Sequence, residues 1–334
     1  MTVNAVPAQS VARQPRGLVM LNDTEARGWV SWQVDNNTFY QADTFSVVFA
    51  VSALPADRNV DWFAAQPAIL VEILAGFPSD PERYGRADLQ SLIYGLVDDV
   101  SFDPVARTLT VSGRDLTAKL IDTRTAEKWP NLTASQIAAK IATDNGLIPV
   151  VTATTVKAGT YYQLDNVLVQ SQQSVWDVLT WLAHVENMQV YVQGRELHFE
   201  PFAKPTDDPY LLQWQAPDET SGFPVFNGTG VSFSRNLTLA KDVIVEVRSW
   251  NARNKKAFTQ RAQATHNKNT ALAAAAQPYG DAQVYTYTFP GLTPDAATKK
   301  AYSLLAEITQ HEMVLDASLP ADGLLNVRSI IKVA

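Results

Sequence analysis

Between Val30 and Gly113, strand-like segments follow one another in which apolar and polar residues alternate with a period of two, the repeat of a strand with one buried face. Val30, Trp32 and Val34 alternate with Ser31 and Gln33. Phe45, Val47, Phe49 and Val51 form the next face, and Ile69, Val71 and Ile73 another. Leu92 to Phe102 and Arg107 to Gly113 predict a hairpin turning at Asp103-Pro104. Trp62-Phe63 and the stretch Gly76 to Asp88 fall in long connections. The pattern predicts an antiparallel β domain. Alternation alone does not separate a sandwich from a barrel, although a barrel removes exposed edges.

At about Arg124 the period changes. Thr133 with Gln136 forms a capping box ahead of the stripe Leu132, Ile137, Ala138 and Ile141, and Gly146 stands at the C′ position. After a Thr-rich connection from Thr152 to Gln163, Ser174 with Asp177 forms a second box. Val175, Val178, Leu179, Leu182 and Val185 line the helix that follows. Trp176 lies off that stripe, which makes it a candidate packing anchor between domains or subunits. Val190 to Val192, a turn at Gln193-Gly194 and Glu196 to Glu200 predict a hairpin, completing an α/β insert.

Pro201 to Pro224, rich in proline and acids, has the composition of a linker. A second β region begins near Gly230, with Val243, Val245 and Val247 on one face and Phe258 to Ala262 and Val284 to Phe289 as further strands. Thr270 to Ala276 is an alanine-rich stretch expected in a surface loop. Thr293-Pro294 starts a helix with proline at N1, buried through Ala297, Ala301, Leu304, Leu305 and Ile308. The strand-like segment Asn326 to Val333 ends the sequence abruptly. A β domain stopping there has an unpaired edge, so either the sequence is cut short or a partner supplies strands.

The 334 residues suit two or three domains. Acids number 34 and Lys plus Arg 27, for a formal charge of −7, which argues against a nucleic-acid-binding face. An acidic wall would instead let DNA slide past without sticking. Charged residues make up 18%, below the usual ~25%, as expected of a surface largely covered by partners. There are no cysteines, which excludes disulfides and thiolate metal sites. No segment has the roughly 20 apolar residues of a membrane span, so no membrane insertion is expected.

Catalytic constellations do not emerge. His184, His198, His266 and His311 have no metal-ligand spacing, although His184 and His198 could meet if the helix packs on the hairpin. Asp98 and Asp99 point to opposite faces, and Glu196 and Glu200 lie roughly 13 Å apart by strand rise, too far for a glycosidase pair. No phosphate, dinucleotide or hydrolase motif occurs. The expectation is a protein that is not an enzyme and takes no cofactor. One basic cluster, Arg248, Arg253, Lys255, Lys256 and Arg261, is either a solvated hairpin tip or a candidate docking patch for an acidic neighbour. The tryptophans Trp29, Trp32, Trp62, Trp181 and Trp214 suit core and interface packing better than a sugar platform.

The segment Thr108 to Thr123 is the most distinctive. An alternating strand enters Gly113-Arg114-Asp115, and a short apolar turn follows, Leu116 to Ile121, closed by Asp122. Gly113 tolerates backbone that a Cβ would resist, Arg114 suits a bidentate carboxylate pair, and Asp115 stands at an N-cap position. This reads as an architectural corner. Together with Asn131 to Ala142 ending at Asn145-Gly146-Leu147, Gln172 to Ala183 running into Met188 to Leu197, and Asn236 to Ser249, it resembles the central hub proteins of phage tail baseplates. These include the late-control D-type tail proteins and the N-terminal part of type VI secretion spike proteins. The likeness runs from about Gly28 to the end.

The resemblance implies a mainly β fold with an α+β insert, two antiparallel β-barrel-like (tube-type) domains flanking a small α/β domain. The boundaries expected are an extended arm over 1–16, a first barrel over 17–124, the insert over 125–202, a linker over 203–229 and a second barrel over 230–334. The family continues past this point, so closure of that second barrel is the part least supported. It further implies a homotrimer in a virion tail baseplate, assembled in the host cytoplasm. Its partners would be the tail tube or distal tube protein, the central spike protein and neighbouring baseplate proteins, with DNA passing through the channel unbound. Two other readings are a peptidoglycan-binding tail protein, since Thr133 to Gly146 faintly resembles a LysM helix, and a carbohydrate-binding β domain using exposed tryptophans.

Overall fold

The structure is a computed structural model. It describes residues 14–38, 40–125, 127, 129–155, 157–158, 173–203, 209–217, 222–236, 243–251, 256–263, 283–289, 292–310, 313–323 and 325–333. The chain is mainly β and divides into two compact units, Met1–Pro224 with Ala321–Ala334, and Val225–Pro320. The last residues, expected in the second barrel, therefore belong to the first unit: Ile331–Val333 pairs in parallel with Tyr210–Leu212, inside the stretch expected to be a linker.

In chain order the first unit contains β1 Arg16–Leu21, β2 Thr24–Glu25, β3 Trp29–Asp35, β4 Thr44–Ala50, α1 Val60–Ala65, β5 Leu70–Gly76, β6 Gln90–Asp103 and β7 Thr108–Asp115. The insert follows, with α2 Thr117–Asp122, β8 Arg124–Thr125, α3 Ala134–Asp144, β9 Ile148–Val151, β10 Gln173–Ser174, α4 Val175–Glu186, β11 Met188–Gln193, β12 Glu196–Pro201 and β13 Tyr210–Leu212. Trp214–Gln215 (β14) and Val225–Phe226 (β15) are two-residue strands. The second unit adds β16 Gly230–Arg235, β17 Val243–Asn251, β18 Lys256–Gln263, β19 Gln283–Thr288, α5 Pro294–Thr309 and β20 Met313–Ser318, and β21 is Ile331–Val333.

β1 to β7 form one curled half-barrel sheet in the order β2-β1-β5-β6-β7-β4-β3. Alternation sets its inner face. In β7, Leu109 and Val111 are buried while Thr108 and Thr110 are half-buried on the other side. Val19, Phe45, Val47, Phe49, Val71 and Ile73 complete this core, and Phe63 of α1 packs on Phe49 with ring centroids 5.7 Å apart. Trp29, Trp32 and Trp62 pack around it.

The insert has its own core. Both capping boxes form: Thr133 and Ser174 accept from the amides of Gln136 and Asp177, whose side chains accept from the cap amides in return. α3 buries Ile137, Ala138 and Ile141, and α4 buries Val178, Leu179 and Leu182. Opposite them lies the sheet β11-β12-β9, with Val190, Val192, Leu197 and Phe199 facing inward. β9 runs parallel to β12, a pairing of distant segments.

In the second unit, α5 lies on the sheet β18-β17-β19, packing Ala297, Ala301 and Leu305 against Val243, Val245 and Val247. Thr293 caps α5 ahead of Pro294. β16 and β20 form a separate antiparallel ribbon.

Gly113 takes no left-handed backbone. Space makes it necessary: a Cβ there would meet the Leu96 carbonyl oxygen at 2.0 Å and Phe45 Cζ at 2.8 Å, and one on Gly95 would meet the Arg114 carbonyl oxygen at 2.2 Å. Gly113→Ala should therefore lower unfolding stability by about 3 kcal/mol in a urea titration. Gly85→Ala, where nothing lies within 4 Å, should stay within about 0.5 kcal/mol of the parent. Equal midpoints for the two variants would refute this account of the β6–β7 contact.

Candidate functional site

The corner at the end of β7 is where the first sheet feeds the insert. The β6–β7 register shifts between Val97 and Asp99, so Asp98 sits in a bulge. Bulges re-aim side chains, and here the Asp98 carboxylate meets Arg114. Arg114 Nε donates to Asp98 Oδ2 at 2.6 Å and Nη2 to Asp98 Oδ1 at 3.0 Å, while Nη2 also donates to Asp122 Oδ2 at 3.1 Å. These bonds, to Asp98 foremost, hold the guanidinium well above its ordinary pKa. Arg114 thus ties the bulge of β6, the end of β7 and the end of α2 on the outer side of the corner.

Asp115 faces inward and is buried. Its Oδ1 accepts from the Thr117 amide at 3.2 Å and its Oδ2 from the Thr117 hydroxyl at 2.8 Å. α2 therefore begins one residue later than an Asp115 N-cap would give, with Leu116 as the flanking residue. Leu116 and Leu120 enter the insert core. The Asp115 amide donates to the Asp43 carbonyl at 2.9 Å, and Asp43 is itself buried. Among the described residues Asp43 accepts from two neutral donors, the Asn37 amide and Asn36 Nδ2. Burial pushes the Asp115 carboxyl up to about 7, Thr117 pulls it down, and the nearby Asp43 charge adds to the rise. Asp43 is raised as well, chiefly by burial.

The loop bearing Asp43 also reaches α4. Trp176 Nε1 donates to the Tyr40 carbonyl at 2.7 Å, and Tyr40 stands against His184 with ring centroids 4.8 Å apart. Trp176 is thus buried where the insert meets the first sheet. A second tie comes from Arg195, which donates through Nε to the Tyr94 hydroxyl at 3.1 Å and lies 5.0 Å over its ring.

On the outer face of the insert sheet, Tyr191 stacks on His198 at 4.6 Å and donates to Glu200 Oε1 at 2.7 Å. His198 lies between Glu196 and Glu200 along β12, and neither ring nitrogen makes a hydrogen bond among the described residues. His184 and His198 do not meet: α4 packs on the face carrying Leu197 and Phe199, and His198 points to the other. The Arg328 guanidinium sits 3.3 Å from the Tyr191 ring centroid. Sequence reasoning gave no role to Asp43, Tyr191 or Arg328: the contacts of Asp43 with Asp115 and of Tyr191 with Arg328 join segments far apart in the sequence.

In the second unit, Arg248 and Arg261 flank Glu246, which is buried on the sheet face away from α5. Arg261 foremost, then Arg248, holds the Glu246 carboxyl below its ordinary range. Arg253 and Lys255 lie outside the described residues, as does the Lys256 side chain. His266 and His311 are likewise outside them, and so is Thr270 to Ala276. Among the described residues no group of three or more His, Asp or Glu could hold a metal ion. No described helix is long and apolar enough to cross a membrane.

No protein-family model and no curated protein sequence matches the chain. Solved structures do. The tail protein from Neisseria meningitidis MC58 superposes with a TM-score of 0.62 at 15% identity, covering 96% of this chain and 86% of that one. The 43 kDa tail protein of prophage MuSo2 from Shewanella oneidensis gives 0.59 at 14% identity, covering 96% and 87%. The chain shares the fold of these tail proteins. In this chain the Gly-Arg-Asp corner joins the half-barrel sheet to the insert.

Two outcomes test the corner. The folded Asp115 carboxyl keeps its proton up to about 7, against an ordinary value of 3.8. Between those values the folded chain binds more protons than the unfolded one, so this group's stabilisation is complete below the lower value and lost as pH rises through the upper. The interval corresponds to on the order of 4 kcal/mol. Asp115→Asn should therefore flatten the decline in unfolding free energy between about pH 4 and pH 7 relative to the parent, and superimposable profiles would contradict the assignment. Arg114→Lys should cost about 1 kcal/mol in the same titration, a modest loss because the paired carboxylates are partly solvated.

Proposed function

We propose that this chain is the structural hub of a phage tail baseplate. In this reading three copies form a ring that joins a hexameric tail tube to a trimeric central spike and surrounds the DNA exit channel. The observation that carries it is the fold shared over 96% of the chain with two tail proteins, one of them from a prophage. The order of the corner, the two capped helices and the insert hairpin along the sequence supports it independently.

The physical character of the chain suits the role. A sparsely charged surface favours burial against neighbours, and both units expose large apolar side chains, among them Phe102 and Trp181 in the first and Phe233 and Met313 in the second. The net charge of −7 suits a lumen that repels phosphate. The mechanism is symmetry matching and stable packing, without bond chemistry. The partners are the tube or distal tube protein, the spike protein and adjacent baseplate proteins, within a virion assembled in the host cytoplasm.

Light scattering of the purified chain should give three times the 36.7 kDa chain mass, and negative-stain images of the same peak should reveal rings with a central hole. A monomer that binds neither tube nor spike protein would overturn the proposal.

A further inference from the structure

The three-stranded sheet of the second unit has one face covered and one bare. α5 lies over Val243, Val245 and Val247. On the other face the register sets Arg261 beside Glu246, Thr259 and Thr288 on either side of Arg248, and Ala257 beside Trp250. Glu246 is buried there between the two arginines. Arg248 Nη2 donates to its Oε2 at 3.1 Å and Arg261 Nε to its Oε1 at 2.7 Å, while the arginine side chains stay 58% and 70% exposed. One carboxylate thus fixes two guanidiniums and leaves most of their donors to solvent. Trp250 and Val284 on the same face are exposed as well. From Arg248 to Arg261 the sequence holds five cations and no acid.

A pre-positioned pair of arginines beside a bare tryptophan has the composition of an interface centre, and its chemistry asks for a partner that is acidic and apolar at once. The first unit presents such an element. The distal end of β6, Asp98 to Asp103, is exposed throughout, and Val105 in the turn that follows is 92% exposed. Asp98 to Arg107 carries three acids and one cation. Asp98 is held by Arg114. Asp103 Oδ1 accepts from the Val105 and Ala106 amides, at 2.8 Å and 2.9 Å, which leaves Oδ2 without a hydrogen bond among the described residues. The tip therefore holds a fixed carboxylate next to a bare apolar side chain, and little ordering remains to be done on binding.

We infer that the β6–β7 hairpin tip of one copy docks on the bare sheet face of the second unit of another copy, with Asp103 meeting the Arg248–Arg261 pair and Val105 covering Trp250. The charges are complementary, and so is the spacing. Arg248 and Trp250 are two residues apart on one strand, roughly 7 Å. Asp103 and Val105, also two residues apart, lie within about 7 Å of each other by chain length. Solvated ion pairs alone contribute little, but the apolar contact beside them excludes water and raises their weight. Each copy carries one tip and one face, so the contact is head-to-tail, the kind that closes a ring when its rotation permits. The ring of three copies in the hub reading, on which this inference rests, is such a closure.

The chain has no cysteine, so introduced thiols report the contact without background. Full-length Ala106→Cys and Thr259→Cys chains, co-expressed and treated with a short bismaleimide, should form a covalent dimer. Its yield should be about tenfold that of Gly85→Cys with Thr259→Cys, and Arg248→Gln or Val105→Ser, each added to both chains, should lower it about tenfold. Arg248→Gln leaves Arg261 on Glu246. An oligomer by light scattering whose cross-link shows no preference for Ala106, or whose yield ignores both substitutions, overturns this docking and leaves the hub reading standing. A chain that stays monomeric overturns both. Should Arg248→Gln fail to fold, Val105→Ser decides, because that side chain is bare in the single copy.

Discussion

The architecture of the first unit depends on one steric constraint: at Asp115 the chain must leave a closely packed strand pair and enter a different hydrophobic core. Backbone at Gly95 and Gly113 approaches the facing strand more closely than any Cβ allows. Beside that approach the β6–β7 register shifts between Val97 and Asp99, which leaves Asp98 in a bulge. Arg114 and Asp115 then fall on opposite sides of the turn, because successive strand residues alternate. The outer residue binds the bulge carboxylate and the end of α2, while the inner one binds Thr117 and orients Leu116 and Leu120 into the insert. The contacts of Trp176 with Tyr40 and of Arg195 with Tyr94 reinforce a junction that the corner has already set.

An acid-rich chain must also place some carboxylates inside, and this one does so in two ways. Glu246 is buried between two arginines, so its charge is matched and its pKa falls. Asp43 and Asp115 are buried among neutral donors, so their hydrogen bonds are satisfied but their charges are not, and their pKa values rise. Geometry alone would count both arrangements as satisfied. They differ in response to pH, because only the second leaves a proton to be gained or lost near neutrality.

What could be read from sequence was what is decided locally. The alternation in β4 and β7, both capping boxes, the turn at Asp103-Pro104, where Asp103 Oδ1 accepts from the Val105 and Ala106 amides, and Pro294 at the start of α5 each depend on residues within a few positions. The need for a small residue at Gly113 was legible, but its cause was not, since that cause lies on Leu96 and Phe45. The parallel pairs β9–β12 and β13–β21 were invisible for the same reason: their partners lie 48 and 121 positions apart, counting from Ile148 to Glu196 and from Tyr210 to Ile331. Arg328 is a lone arginine in a short terminal stretch, and only the fold that brings it to Tyr191 gives it a role.

This division explains why the fold is recognisable at 15% identity while no family model matches. Period-two alternation, a hydroxyl or carboxylate at a cap and a β-branched or leucine core position can each be met by several residue types. Such positions drift without altering the backbone. The positions with tight local demands are few: Gly95 and Gly113, where β6 and β7 approach closest, and a polar pair that satisfies one side each of a turn. A scaffold built this way retains its shape over sequence distances at which its residues no longer align, and the likeness survives in the path of the chain.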